Sequence, residues 1–446
     1  MAKRQLEDLI NLSQNREQSI YLTNCEAKGE APQREIADYL EKLDFGAHLA
    51  PSLLKNVLHL LPFFKKVRYK TYDDETDNGI YKLESDSGNA EVSIALTGDW
   101  ASYTDESEKV AELIKSFDPN YTIHLGDTYY TGSEREIKEN FHPETGKWHY
   151  GKNGSFALIG NHEMYSGGKH YFNDLLKWMG IRRNGAQVSP QKASFFCLEN
   201  EYWRIIAIDT GFTADKGIAG AGDNKDLDIT PEQLKWLKET IQFNNDNRGI
   251  ILLSHHQPWC AFKGKKDDDE TKDKATEYPN PAITLSGKDL LGVDRPVLWW
   301  WGHDHHLAFY GCPDQGLKAF GRCIGHGGTA VQCRTYDSAT NSFPQLHDPK
   351  KKKLVLFDNR EKRKINDKVT LGYNGFAMLK LQESNLTIEY YDENKNLLVS
   401  EKWAMENNVL KGINITDETA NQDLVHLNSN IRMAIENLKE EQLGNQ

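Results

Sequence analysis

The sequence predicts an α/β domain, and three observations carry that expectation. From about residue 90 six short apolar runs recur: VSIAL (92–96), YTIHL (121–125), SFALI (155–159), RIIAI (204–208), GIILL (249–253) and VLWWW (297–301). Helical stretches lie between them, and each run ends in a polar cluster. Short apolar runs bounded by turn residues read as buried strands. Strand alternating with helix argues for an α/β architecture whose ligands sit at strand C-termini.

The elements follow in chain order. Residues 1 to about 65 read as helical from apolar positions such as Leu6, Leu9, Ile10, Leu53, Leu54, Val57 and Leu60, and 70–90 as an irregular or weakly β connection. ESEKVAELIKSF carries Val110, Leu113, Ile114 and Phe117 at helical spacing. Thr230 and Gln233 form a capping box with Pro231 at the first helical position of the next helix. The stretches 264–281 and 348–353 read as solvated charged loops. VTLGYNGFAMLKL, LTIEYY and NLLVSEKW read as strands, with DENKN as a hairpin turn. Residues 415–440 read as an amphipathic helix for packing or oligomerisation. The resulting division is 1–88, an N-terminal helical extension and connection; 89–405, the main domain; and 406–446, a C-terminal helical tail.

Composition narrows the function. The chain has 446 residues, 38% hydrophobic and 27% charged, with a formal net charge of −12. That charge disfavours nucleic acid as a partner, since polyanions are bound through excess Lys and Arg. It leaves room for a small phosphorylated substrate, because a bound metal pair reverses the local sign. No apolar run of about 18 residues is present, so no membrane span is expected. The first residues carry acids among their leucines instead of a long apolar stretch, which points to the cytoplasm. Six cysteines without CxxC spacing read as reduced thiols, and the spacing of Cys312, Cys323 and Cys333 matches no usual zinc pattern.

The chemistry lies where the apolar runs stop. They lead into GDW (98–100), GDTYY (126–130), GNHE (160–163), SHHQPW (254–259) and GHDHH (302–306); only RIIAI, ending in Asp209 and Thr210, lacks a histidine or a Gly-Asp pair. A single Gly-Asp pair is an ordinary turn former. Five strand ends presenting Asp, Asn or His together are a donor set of hard oxygen and imidazole suited to Fe, Mn or Zn. Asp127 has the oxygens to bridge two ions about 3.5–4 Å apart, a pair that can clamp a phosphoryl group.

These motifs, in this order, resemble the calcineurin-like metallophosphoesterases over about residues 90–330, with closing strands to about 405. The resemblance implies two mixed β-sheets packed as a sandwich flanked by helices, and a dinuclear metal centre at the strand ends. It implies that Asp99 and His305 bind the first metal, that Asp127 bridges, and that Asn161, His303 and one histidine of the SHH segment bind the second. Position 101, where most of the family has histidine, is Ala101. The purple acid phosphatase branch also lacks that histidine and supplies a tyrosine from GDxxY, which here is Tyr130; Tyr129 reads as packing. A phenolate favours Fe(III) at the first site, with Zn, Mn or Fe(II) at the second. His255 is the first residue off its strand, whereas His256 has the H-x-P spacing with Pro258, so both remain candidates.

His162 matches the family's catalytic histidine, which donates to a phosphoryl oxygen or protonates the leaving group. Glu163 is placed either behind His162 or at the surface. His326, in GHGGT, is a candidate substrate contact from a loop, and His124 and His306 read as structural or pocket-lining. Trp299, Trp300 and Trp301 read as core and pocket wall. The implied activity is metal-dependent phosphoester hydrolysis by a metal-bridging hydroxide, on phosphomonoesters before phosphodiesters. The rivals are a nucleotide or other phosphodiesterase with the same centre, and a non-catalytic scaffold on this fold. Loops 131–153, 164–192 and 261–290 would set specificity.

Overall fold

Side chains alternate across a strand, so a strand covered on both faces must be apolar at nearly every position. That rule accounts for the six apolar runs, all of which are buried strands or lead out of one. The computed structural model describes residues 67–72, 77–85, 90–129, 132–164, 166–214, 229–242, 246–262, 296–312, 318–340, 342–344, 346, 353–364, 370–419 and 424–426. The expected helices of 1–65, the loop 264–281 and most of 348–353 lie outside these residues.

Twenty strands follow in chain order among the described residues. They begin with β1 (Ile80–Lys82), β2 (Glu91–Thr97), β3 (Tyr121–His124), β4 (Gly154–Ala157), β5 (Gly180–Arg183), β6 (Ala186–Pro190) and β7 (Phe196–Glu199). Next come β8 (Trp203–Ile208), β9 (Gly249–Ser254), β10 (Val297–Trp301), β11 (Leu307–Tyr310), β12 (Ala319–Ile324) and β13 (Leu354–Asp358). The last are β14 (Arg363–Lys364), β15 (Thr370–Leu371), β16 (Gly375–Gln382), β17 (Asn385–Asp392), β18 (Leu397–Glu406), β19 (Val409–Asp417) and β20 (Leu424–His426). One nine-stranded sheet has the order β19-β18-β17-β16-β2-β3-β4-β5-β6; the other is β1-β7-β8-β9-β10-β12-β11-β13-β20. Both are mixed: β2, β3 and β4 run parallel in the first, and β8, β9, β10 and β12 in the second.

The two sheets pack face to face, as expected. The layer between them draws on Ile94, Leu96, Ile123 and Phe156 from the first, and on Ile205, Leu253, Leu298 and Trp300 from the second. Alternate residues face outward. Ala95 joins Val110, Ile114 and Phe141 under the helices Asp105–Phe117 and Glu134–Phe141. Ile250, Leu252, Trp299 and Trp301 join Trp236 and Ile241 on the other outer face. The three consecutive tryptophans are therefore all core, divided between two layers by the period of two.

Thr104 caps the first helix, its side chain accepting from the Ser107 amide, with Asp105, Glu106 and Glu108 in the first turn where the helix dipole favours acids. Thr230 caps Pro231–Trp236 by accepting from the Gln233 amide. The reciprocal half of the expected capping box is not made. Gln233 instead bonds the backbone of Asp209, accepting from its amide at 2.7 Å and donating to its carbonyl at 3.0 Å. The C-terminal expectation needs correction too. Residues 415–417 end β19, which pairs with β18, and β20 pairs with β13, whereas 427–440 of the expected helix lie outside the described residues. The alternating text of VLKGINITD satisfies an open sheet edge, and pairing there prevails over the helical reading. No helix among the described residues is long and apolar enough to cross a membrane.

One buried ion pair crosses the sandwich. Arg322 on β12 donates to both carboxylate oxygens of Glu401 on β18, each at 2.7 Å. Tyr390 and Trp403 also donate to that carboxylate. Removing one partner strands a charge in a dry layer. Arg322→Met is expected to lower stability in urea unfolding by about 3–5 kcal/mol, and Arg322→Met with Glu401→Leu by much less.

Candidate metal centre

Neighbouring parallel strands end at the same edge of a sheet, so β2, β3 and β4 present Asp99, Asp127 and Asn161 side by side. In the other sheet β9 and β10 present His255 and His303. Backbone bonds fasten these ends. The Asp99 amide donates to the Gly126 carbonyl at 3.0 Å, and the Gly302 amide to the His255 carbonyl at 3.1 Å. The His303 amide donates across the sheets to Asp99 Oδ2 at 2.7 Å.

Bringing five strand ends together strains the turns. Asp99, Asp127 and His303 all have left-handed backbone, with φ of 58°, 68° and 66°. For an L-residue that conformation costs about 1–2 kcal/mol. Glycines allow the close approach. A Cβ on Gly160 would fall on the Asp127 carboxylate, and one on Gly302 would lie 2.6 Å from Asp99 Oδ2.

The side chains converge. His255 is fully buried, and its Nδ1 donates to the Leu125 carbonyl at 2.9 Å, since a carbonyl only accepts. That bond turns Nε2 toward Asn161 Oδ1 at 3.1 Å and Asp127 Oδ1 at 3.3 Å. A backbone carbonyl fixing one ring nitrogen so that the other points inward is the usual support of a metal-binding histidine. His256 sits beside it, with Nδ1 3.1 Å from the Thr210 hydroxyl and its ring against His303. The donor atoms of His255, His256 and His303 lie within 4.8 Å of one another, as do those of Asp99, Asp127 and His255. His305 Nε2 is 3.5 Å from Asp99 Oδ1.

Tyr129 alters the expected ligand set. Its hydroxyl donates to Asp99 Oδ1 at 2.7 Å and lies 2.9 Å from His305 Nε2 and 3.3 Å from Asp127 Oδ2. Among the described residues the phenol at the acids is Tyr129, expected only to pack; Tyr130, the expected ligand, lies outside them. The turn at Asp127 is left-handed, so counting residues along the loop does not report which ring points inward.

Glu163 is also relocated. It is fully buried and accepts from the amides of Asp127 (3.2 Å) and Gly160 (2.9 Å) and from the Thr128 hydroxyl (2.7 Å). It ties the GDT and GNHE turns together, and its bonds go to the backbone and Thr128. His162 is partly exposed at the mouth; its amide donates to Asp127 Oδ1 at 3.0 Å, and its ring packs 4.3 Å from that of Tyr129. Thr210, at the strand end without a motif, accepts from the His256 amide at 2.9 Å. No spacing rule marks that residue.

The electrostatics call for a cation. Burial alone would raise Asp127, yet His255 and His162 beside it hold it well below the usual carboxylate range. Burial would lower His255, but Asp127 and Asp99 push it up to about 9. Burial first, then the charges of Asp99 and Asp127, drive the Tyr129 phenol well above its ordinary value. Only positive charge placed among these groups makes a phenolate there favourable.

The remaining histidines divide. His124 lies among Trp100, Phe141 and Trp148, where burial lowers it to about 3, in keeping with a structural role. His326 is 1% exposed and packed against Gly375, so it has no face open to a substrate, contrary to expectation. A loop histidine reads as accessible in sequence; here the backbone bond from the Gly375 amide to the His326 carbonyl draws it beneath β16.

The class follows from this fold and centre. The family model described as calcineurin-like phosphoesterase matches residues 92–307. Residues 92–307 thus carry a calcineurin-like phosphoesterase domain, which supports a hydrolase acting on phosphoric ester bonds. No curated protein matches the sequence. Similar solved structures include GAP50 of Plasmodium, described as the anchor in the inner membrane complex, at 14% identity over 72% of this chain and 90% of that one, TM-score 0.42. PhoD is similar at 11% identity over 80% and 78%, TM-score 0.44. Vps29 of Entamoeba histolytica is similar at 8% identity over 73% and 99%, TM-score 0.24.

The Glu163 brace makes a direct prediction. Glu163→Ala removes the acceptor shared by the Asp127 and Gly160 amides, so metal affinity or kcat/KM is expected to fall about 10–100-fold. Metal analysis and steady-state kinetics check it, and unchanged values would mean the brace is dispensable.

Proposed function

We propose that this hydrolase acts on small phosphomonoesters at a dinuclear centre of the purple acid phosphatase type. The observation that supports this reading is the convergence of Asp99, Asp127, Tyr129, Asn161, His255 and His305 donors at hydrogen-bond range from separate loops. The donors fit two ions: hard oxygens dominate one end of the group and imidazoles the other. Asp99, Asp127, Tyr129 and His305 would hold the first, with Fe(III) matched to the phenolate. Asp127, Asn161, His255 and His303 would hold the second, a Zn, Mn or Fe(II) ion, with His256 within reach of it. Bound there, the ions supply Lewis acidity, activating water at neutral pH and meeting the phosphoryl charge.

The chain's own groups do the rest. Asp127 has both oxygens engaged by His162, His255 and Tyr129, which fixes its plane. His255 is held in one orientation by Leu125. His162, partly exposed beside Asp127, would pass a proton to the departing alcohol. The loop 132–153 carries the helix Glu134–Phe141, and 164–192 carries β5 and β6. Both would shape specificity, whereas most of 261–290 lies outside the described residues.

An activity panel of phosphomonoesters and phosphodiesters, with Fe, Mn and Zn supplied separately, tests the reading. Monoesters are expected to turn over faster, and Asp127→Ala to abolish turnover on all of them. Faster diester cleavage would shift the substrate class; equal inactivity of Asp127→Ala and wild type would overturn the enzyme mechanism. The Fe(III)-loaded protein is expected to absorb in the visible range through its phenolate. Tyr129→Phe should lose that band and Tyr130→Phe keep it; the reverse outcome would restore Tyr130 as the donor.

A further inference from the structure

The segment GHDHH has two chemical faces. His303 and His305 turn toward His255, His256 and Asp99, while Asp304 and His306 turn the other way. Behind the segment the donor atoms of Asp304, His306 and Cys323 lie within 4.8 Å of one another. The Cys260 thiol faces the same Asp304 carboxylate.

We propose that Asp304, His306, Cys323 and Cys260 form a separate structural site for a divalent cation of the zinc class. His306 is 4% exposed, and neither of its ring nitrogens has a hydrogen-bond partner. Asp304 Oδ2 is likewise out of solvent without a partner. Buried polar atoms are nearly always paired, so an imidazole nitrogen and a carboxylate oxygen left without partners in one group are an unmet demand for a ligand. Cys260 and Cys323 are buried and free of disulfides. The Phe262 ring lies 4.0 Å from that of His306 and closes the space.

Two thiolates, one imidazole and one carboxylate are four donors, the number a closed tetrahedral zinc site takes. Zinc bonds of about 2.0–2.3 Å need donor atoms nearer together than 4.8 Å, so binding would draw in Asp304, His306 and Cys323, the group within that distance, and bring Cys260 up as the fourth donor. Charge also balances. Three negative donors meet a divalent ion and the Arg334 guanidinium, which acts on Asp304, Cys260 and His306 and stacks over Phe262. Such an ion would join the turn after β9, the GHDHH segment and β12, holding His303 and His305 from behind. Sulfur separates it from the phosphoesterase centre, whose donors are all oxygen or nitrogen.

The full chain loaded with Co(II) is the test, because a thiolate-to-cobalt charge-transfer band can report only the sulfur site. Wild type is expected to show the band. Zinc-edge X-ray absorption of the zinc-loaded protein should show a sulfur shell near about 2.3 Å. Cys260→Ser and Cys323→Ser should each diminish the band and lower bound metal by about one equivalent, and Cys312→Ser should leave both unchanged. Folded wild type without sulfur ligation overturns the proposal, whatever the variants do, and so does a band of undiminished intensity in Cys323→Ser.

Discussion

Asp127 lies where both sheets meet, its carboxylate 1% exposed, and a buried anion is tolerable only when its lone pairs are met. Much of the local structure serves that requirement. His162, His255 and Tyr129 address its two oxygens, while Glu163 takes its amide. Gly160 gives up a side chain so that the carboxylate has room. Asp99 sits in the same kind of left-handed turn one strand away, with the His303 amide on one oxygen and Tyr129 on the other. Two carboxylates packed this closely repel, and positive charge among them offsets that repulsion.

The sandwich supplies rigidity for that arrangement. Apolar layers above, between and below the sheets hold five strand ends in register, and the Arg322–Glu401 pair crosses the middle layer. Asp99, Asp127 and His303 are three of twelve non-glycine residues with positive φ among the described residues, and these three present donors to the centre. The same economy shows in GHDHH, where alternate residues serve opposite faces of one turn.

Legibility in sequence followed periodicity. The buried strands could be read because nothing but apolar residues fits a covered strand, and the Gly-Asp, Gly-Asn and His motifs marked the ends of five of them. Glu163, Tyr129 and Thr210 were not legible in their actual roles. Each acts through a direction set by a turn: Glu163 folds back onto amides 36 and 3 residues away, and Thr210 reaches a histidine 46 residues on. Tyr129 and Tyr130 are adjacent in the same motif, and spacing alone does not show where the Tyr129 hydroxyl lies. The edge strands β19 and β20 were misread because half-polar edge text also fits an amphipathic helix until a partner strand is known. His306 and Cys323 lie in unrelated stretches of text, and the fold alone brings them together.

The central claim is that Asp127 stands between two metal ions. Anomalous diffraction from crystals of the purified protein, collected at iron, manganese and zinc edges, tests it most directly. The account predicts two peaks flanking the Asp127 carboxylate, one among Asp99, Tyr129 and His305 and one among Asn161, His255 and His303. A single peak, or none beside Asp127, would contradict it.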